Sequence, residues 1–175
     1  MDADQIAEGR IGFEAERAMY GGFLGVALMT VWIRGAWLLG FPPLESGSLL
    51  GSMLIGNLLH TDVNAQFILG MLFQVILGTV VLALLYGEFY ARIPGGHEPW
   101  VHGALFALLL WLVGQLITAP LLGALAGLNV GIFSSALGPL AIVGGLIGHL
   151  LYGLLLGTVY GHHVMPKKRL RSATT

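Results

Sequence analysis

The sequence predicts an all-α membrane protein: a membrane-spanning four-helix bundle with both termini cytoplasmic and a short interfacial or re-entrant helix in the first outer loop. Three observations carry this expectation. The 175-residue chain is 56% hydrophobic and only 10% charged, where a soluble domain carries about 25% charged residues. Its mean hydropathy is +0.83. Four apolar windows, 18–40, 66–87, 102–123 and 140–161, each approach the roughly 20 residues that a bilayer crossing needs.

Composition also excludes several function classes. The 27 glycines would weaken helices in water, but glycine serves close helix contacts in lipid. The low charge and a net charge of -1 argue against disorder and against nucleic acid as a partner. With no cysteine in the chain, disulfides, thiolate metal sites and cysteine nucleophiles are excluded.

The elements follow in order. Residues 1–17 read as a cytoplasmic segment. Their start, Met1-Asp2-Ala3-Asp4, is acidic where a signal peptide is basic. The first span runs from Ala18 to Gly40 and stops at Pro42-Pro43, because proline cannot continue a helix. From Glu45 to Asn64 the chain is apolar but too short to span. Ser48, Ser52, Gly56 and His60 recur there every four residues, so a helix would carry one narrow polar stripe and lie along the interface or dip into the bundle. The second span runs from Gln66 to Gly87 and the third from His102 to Gly123. The uncharged stretch Ala124 to Pro139 cannot expose its backbone to lipid, so it sits at the interface or under protein. The fourth span, Leu140 to Gly161, precedes a basic tail, 162–175. That tail fixes topology and touches anionic lipid, at about 1 kcal/mol per charge.

Charge orients the bundle. Arg10, Arg17, Arg92, Lys167, Lys168, Arg169 and Arg171 share one side, leaving Arg34 as the other one of the eight basic residues. The positive-inside rule then places both termini in the cytoplasm. Tyr20, Tyr86, Tyr90, Trp100 and Tyr160 fall near inner ends, and Trp32, Trp37 and Phe67 near outer ends, where amphipathic rings favour headgroups. Gly87-Glu88-Phe89-Tyr90 and Gly157-Thr158-Val159-Tyr160, each followed by proline at Pro94 and Pro166, give the halves a weak likeness. A parallel duplication and chance both account for it.

The fourth span carries the richest pattern. Gly145, His149, Gly153, Gly157 and Gly161 recur at intervals of four and line one face. One reading is tight helix packing of the small-xxx-small kind. The other uses the missing side chains as room for a flat cofactor, a haem or pigment with His149 as ligand. His60, His97, His102, His162 and His163 offer no second ligand at its depth, so a two-histidine haem within one chain is not expected.

Arg34 lies about 9 Å from the outer end of its helix at 1.5 Å per residue. It either snorkels to the headgroups or pairs with Asp62 or Glu45. An anion site there lacks a second basic residue. Gln74, Thr79, Gln115 and Thr118 read as interhelical hydrogen-bonding groups. A conducting path would need a mid-depth carboxylate, yet Glu88, Glu98 and Asp62 all lie at surfaces. His97-Glu98-Pro99-Trp100-Val101-His102 fails the zincin spacing by one residue, and Pro99 interrupts its turn. No metal site and no serine-based catalysis is expected, because Ser46, Ser48, Ser52, Ser134 and Ser135 occupy outer connections without a nucleophile elbow.

Gly21, Gly25, Met29 and Thr30 leading to Pro42, the loop Ile93-Pro94-Gly95-Gly96, and His149, Tyr152, Gly153, Gly157, Tyr160 and Gly161 in the last helix resemble a family of small, largely uncharacterised prokaryotic four-helix integral membrane proteins. The resemblance implies a four-helix bundle in a prokaryotic inner membrane and brings no activity or cofactor.

The expectation for function is a non-catalytic structural or accessory subunit with no cofactor. Its partners would be the lipid bilayer and other membrane subunits or a second copy. The alternatives are a homo-oligomeric small-solute transporter or channel using Arg34, Gln74, Gln115 and His149, and a haem or pigment carrier through His149.

Overall fold

The computed structural model describes residues 14–41, 51, 63–94, 98–125, 127 and 129–172, and all regular structure among them is helical. Four helices are long and apolar enough to cross a membrane: α1 (Ala15–Leu39), α2 (Ala65–Arg92), α3 (Pro99–Leu125) and α4, whose apolar part is Pro139–His162. The helix of α4 itself continues to Ser172. These bounds run past the windows read from hydropathy at most ends, by three residues at the start of α1 and of α3 and by five at the end of α2, while α1 stops one residue short of Gly40. The proposed short helix between 45 and 64 lies largely outside the described residues. Gly51, within that connection, sits against the backbone of Gln66.

Local chemistry sets several ends. Glu14 precedes α1 and pairs with Arg17 at 2.5 Å. Gly40, at φ 84°, closes the far end in the left-handed conformation that glycine adopts without cost. Pro99 opens α3, where its missing N–H would have had no helical partner. Two widened π-turns interrupt the middle spans, Leu77–Leu82 in α2 and Gly114–Thr118 in α3. The second has an evident cause. Pro120 lacks an N–H for the Leu116 carbonyl and its ring crowds that turn, so the helix widens just before it.

In backbone packing, α4 lies along both α1 and α3, while α2 rests on a second face of α1. Small residues make the contacts close. Gly21 and Gly25 of α1 meet Leu156 and Tyr152 of α4, and Gly22 meets Ala83 and the Gly78 carbonyl of α2. α2 reaches α4 mainly through aromatic side chains. The Tyr152 hydroxyl donates to the Gly78 carbonyl at 2.7 Å, and the Tyr86 and Tyr160 rings meet edge-on at 5.7 Å.

The core cluster comprises Ala18, Val26, Ala83, Tyr86, Tyr90, Phe106, Tyr152, Leu156 and Tyr160. All belong to the half of the bundle at the end where α1 begins, hereafter the terminal end. The opposite half, toward the loops after α1 and α3, is packed by different chemistry.

Candidate functional site

Two polar layers lie inside the bundle. At the terminal end, Tyr86 and Tyr90 are one helical turn apart on α2, with ring centroids 5.6 Å apart. Tyr160 of α4 packs on Tyr90 at 5.2 Å. From α3, Phe106 packs on Tyr86 at 5.1 Å and His102 stacks on Tyr90 at 4.8 Å. These rings join α2 to α3, whose backbones hardly approach one another. The Tyr86 and Tyr90 hydroxyls are buried without a hydrogen-bond partner among the described residues. His102 begins the third span read from the sequence. It is buried, because its ring extends the tyrosine cluster and its Nδ1–H donates to the Glu98 carbonyl at 3.1 Å.

Above this cluster the glycine face of α4 meets α3. A Cβ on Gly103 would run into the Gly153 carbonyl, and one on Gly157 would stand 2.8 Å from the Gly103 Cα. A Cβ on Gly153 would in turn run into the Gly103 carbonyl and the Ala107 side chain, and one on Gly161 into Pro99. α3 therefore fills the stripe from Gly153 to Gly161, which leaves no room for a flat cofactor there. Gly145 differs. A Cβ there would meet only Gln115 Nε2 at 3.6 Å and Trp111 Nε1 at 3.7 Å.

The second polar layer surrounds that position. Helices α3 and α4 run antiparallel, so moving four residues along one, about 6 Å, matches four residues back along the other. Ala107 faces Gly153 and Gln115 faces Gly145, which puts Trp111 at the depth of His149. His149 Nδ1 lies 2.8 Å from the Gly145 carbonyl. A carbonyl only accepts, so Nδ1 carries the proton and Nε2 of the neutral ring is an acceptor. Gln115 lies within the α3 π-turn, and its Oε1 accepts from the Ser134 hydroxyl at 2.7 Å. Ser134 and Phe133 belong to the short 3-10 segment Ile132–Leu137, where both adopt left-handed φ, 54° and 56°. Non-glycine residues pay roughly 1–2 kcal/mol each for that conformation. The turn places the Phe133 ring 5.7 Å from that of Trp111. Trp111 is buried, and its Nε1 has no hydrogen-bond partner among the described residues.

The remaining expected site residues are dispersed. Gln74 lies one turn before Gly78, and Tyr152 ties Gly78 to the level just below His149, so Gln74 shares the depth of His149. Thr30 Oγ1 and Thr79 Oγ1 are buried without partners among the described residues, so Thr79 makes no interhelical bond there, and Thr118 is exposed. Arg34 stands apart, exposed, with its guanidinium 4.2 Å from the Phe67 ring centroid. Asp62 and Glu45, the acids considered for it, lie outside the described residues. No group of three or more metal-ligating side chains occurs among the described residues.

Sequence reasoning missed the Tyr86–Tyr90–Tyr160 cluster, Gly103, Trp111 and the Trp32 indole, which donates to the Gly144 carbonyl at 2.8 Å. The i,i+4 pair Tyr86/Tyr90 was a readable signal. The partner of Trp32, 112 positions away, was not.

The chain belongs to DUF6789, a family of unknown function, whose family model matches residues 14–170. No curated protein and no solved structure matches it.

Proposed function

We propose that this member of the DUF6789 family is a non-catalytic accessory subunit that packs against a larger membrane complex through α2 and α3. The supporting observation is the uneven packing of the four spans. α4 is held along both α1 and α3, whereas among the described helices α2 has its main backbone packing on α1 and is joined to α3 by rings at the terminal end. Toward the other end, α2 and α3 each present apolar side chains outward, among them Leu72 and Ile76, and Leu116 and Ile117. In a membrane, shape and a few polar groups, rather than apolarity, decide which helices associate. In this reading the terminal end faces the cytoplasm, since the basic residues gather there.

Purification in mild detergent with a photoreactive residue at Leu72 or Leu116 tests this. Both positions should crosslink to a distinct membrane protein, while the same group at Val31, exposed on α1, should capture only lipid. A monomer with lipid adducts at all three positions contradicts the reading.

A further inference from the structure

We propose that the notch beside Gly145 binds the carbonyl oxygen of a lipophilic molecule. Two side-chain donors converge on it. Trp111 Nε1 and Gln115 Nε2 stand 3.7 and 3.6 Å from where a Gly145 side chain would begin. The Trp111 indole is buried and its N–H unsatisfied, which in lipid costs more than in water because no solvent relieves it.

Two oxygens beside the notch already accept side-chain hydrogen bonds. The Gly145 carbonyl receives the His149 Nδ1–H, and Gln115 Oε1 receives the Ser134 hydroxyl. That leaves the Trp111 N–H, which among the described residues has no partner and is not taken by His149 Nε2 at its depth, and the Gln115 amide N–H beside it. A carbonyl oxygen, with two lone pairs, accepts from both. Gly145 and Gln115 are only half-buried, so the notch is open to an entering group. Its wall is built, because Phe133 is held on Trp111 by a turn that keeps two non-glycine residues at positive φ. Such local strain persists where surrounding structure over-determines it, and it clusters at binding sites.

The carbonyl has two sources, the ester of a bilayer lipid or a free lipophilic ketone or quinone. Gly145 lies six residues into α4, about 9 Å below its first residue, so a lipid ester must dip below the headgroup layer to reach it, whereas a free ketone need not. Nitrogen-15 labelling of the tryptophans gives one indole signal per residue, and the Trp111 signal is identified by its loss in W111F. The protein is placed in nanodiscs of ester-linked or ether-linked lipid. Each is then titrated with 2-undecanone or, as a control without an acceptor, undecane.

A downfield Trp111 N–H in ester lipid relative to ether lipid assigns the lipid carbonyl. A saturable downfield shift with 2-undecanone in ether lipid assigns a free molecule. In either case Gly145→Val should abolish the shift. Gln115→Leu, which removes one donor without adding bulk, should weaken binding about tenfold, as expected for one hydrogen bond, and keeps the test valid if Gly145→Val fails to fold. No shift in either lipid with or without ketone, the same shift with undecane, or a shift unchanged by both variants overturns the proposal. So does a Trp111 N–H bonded only to water.

Discussion

The Tyr152 hydroxyl donates a 2.7 Å hydrogen bond to the Gly78 carbonyl, 74 residues away, within the π-turn of α2. A π-turn leaves a carbonyl poorly served by its own helix, and here α4 supplies the missing donor. One side chain thus joins two helices whose backbones are separated by its ring. Tyr152→Phe should lower stability by about 0.6–1 kcal/mol, the worth of one hydrogen bond in a membrane bundle. Reversible unfolding in mixed detergent and SDS measures it. Unchanged stability would mean that the carbonyl finds an equally good partner without Tyr152.

The α3–α4 crossing gives a sharper contrast. Gly103→Ala places a methyl against the Gly153 carbonyl, whereas nothing lies within 4 Å of a Cβ at Gly114. Overpacking at Gly103 should cost about 1–3 kcal/mol. Gly114→Ala, at a helical φ of -57°, should instead stabilise by about 0.5–1 kcal/mol. Thermal unfolding in one detergent compares the two. Equal effects would remove close backbone approach as the basis of the crossing.

Much of this was legible in the sequence. Four spans and their order follow from hydropathy alone, because lipid forces every backbone amide into a helix. The fourth-span stripe singled out Gly153 and Gly157, since a period of four marks one helical face. Gly103, which faces them, has no glycine one turn away on either side and so leaves no pattern. The pairing of Trp111 with Gln115 was also hidden. They sit four residues apart on α3, but their meeting point lies on another helix. The π-turns and the left-handed turn at Phe133 have no simple sequence code, apart from Pro120 and the flanking Gly131 and Gly138.

That left-handed turn yields a paired prediction. Ser134→Ala and Ser134→Gly both lose the hydrogen bond to Gln115, but only glycine relieves the positive φ. Ser134→Gly should therefore be the more stable of the two by about 1 kcal/mol. Unfolding midpoints of the two variants measure the difference. The reverse order would place the residue in an ordinary conformation.

Arg34 lies over the Phe67 ring, tying the end of α1 to the start of α2. Replacing Phe67 by Leu keeps apolar bulk but removes the ring quadrupole. The expected loss is about 0.5–1 kcal/mol, and Arg34→Gln in the same background should add little more. Strict additivity in this double-mutant cycle would show that the two side chains do not interact.

The central claim is that four helices cross the bilayer, so that both ends of the chain share one face. The chain has no cysteine, so single cysteines report cleanly on a membrane-impermeant maleimide applied to intact cells. Cysteines at Asp4 and Ala173 should stay unlabelled until the cells are opened, while one at Gly127, between α3 and α4, should react at once. Labelling of only one of the two ends in intact cells would mean an odd number of crossings and would contradict the four-span bundle.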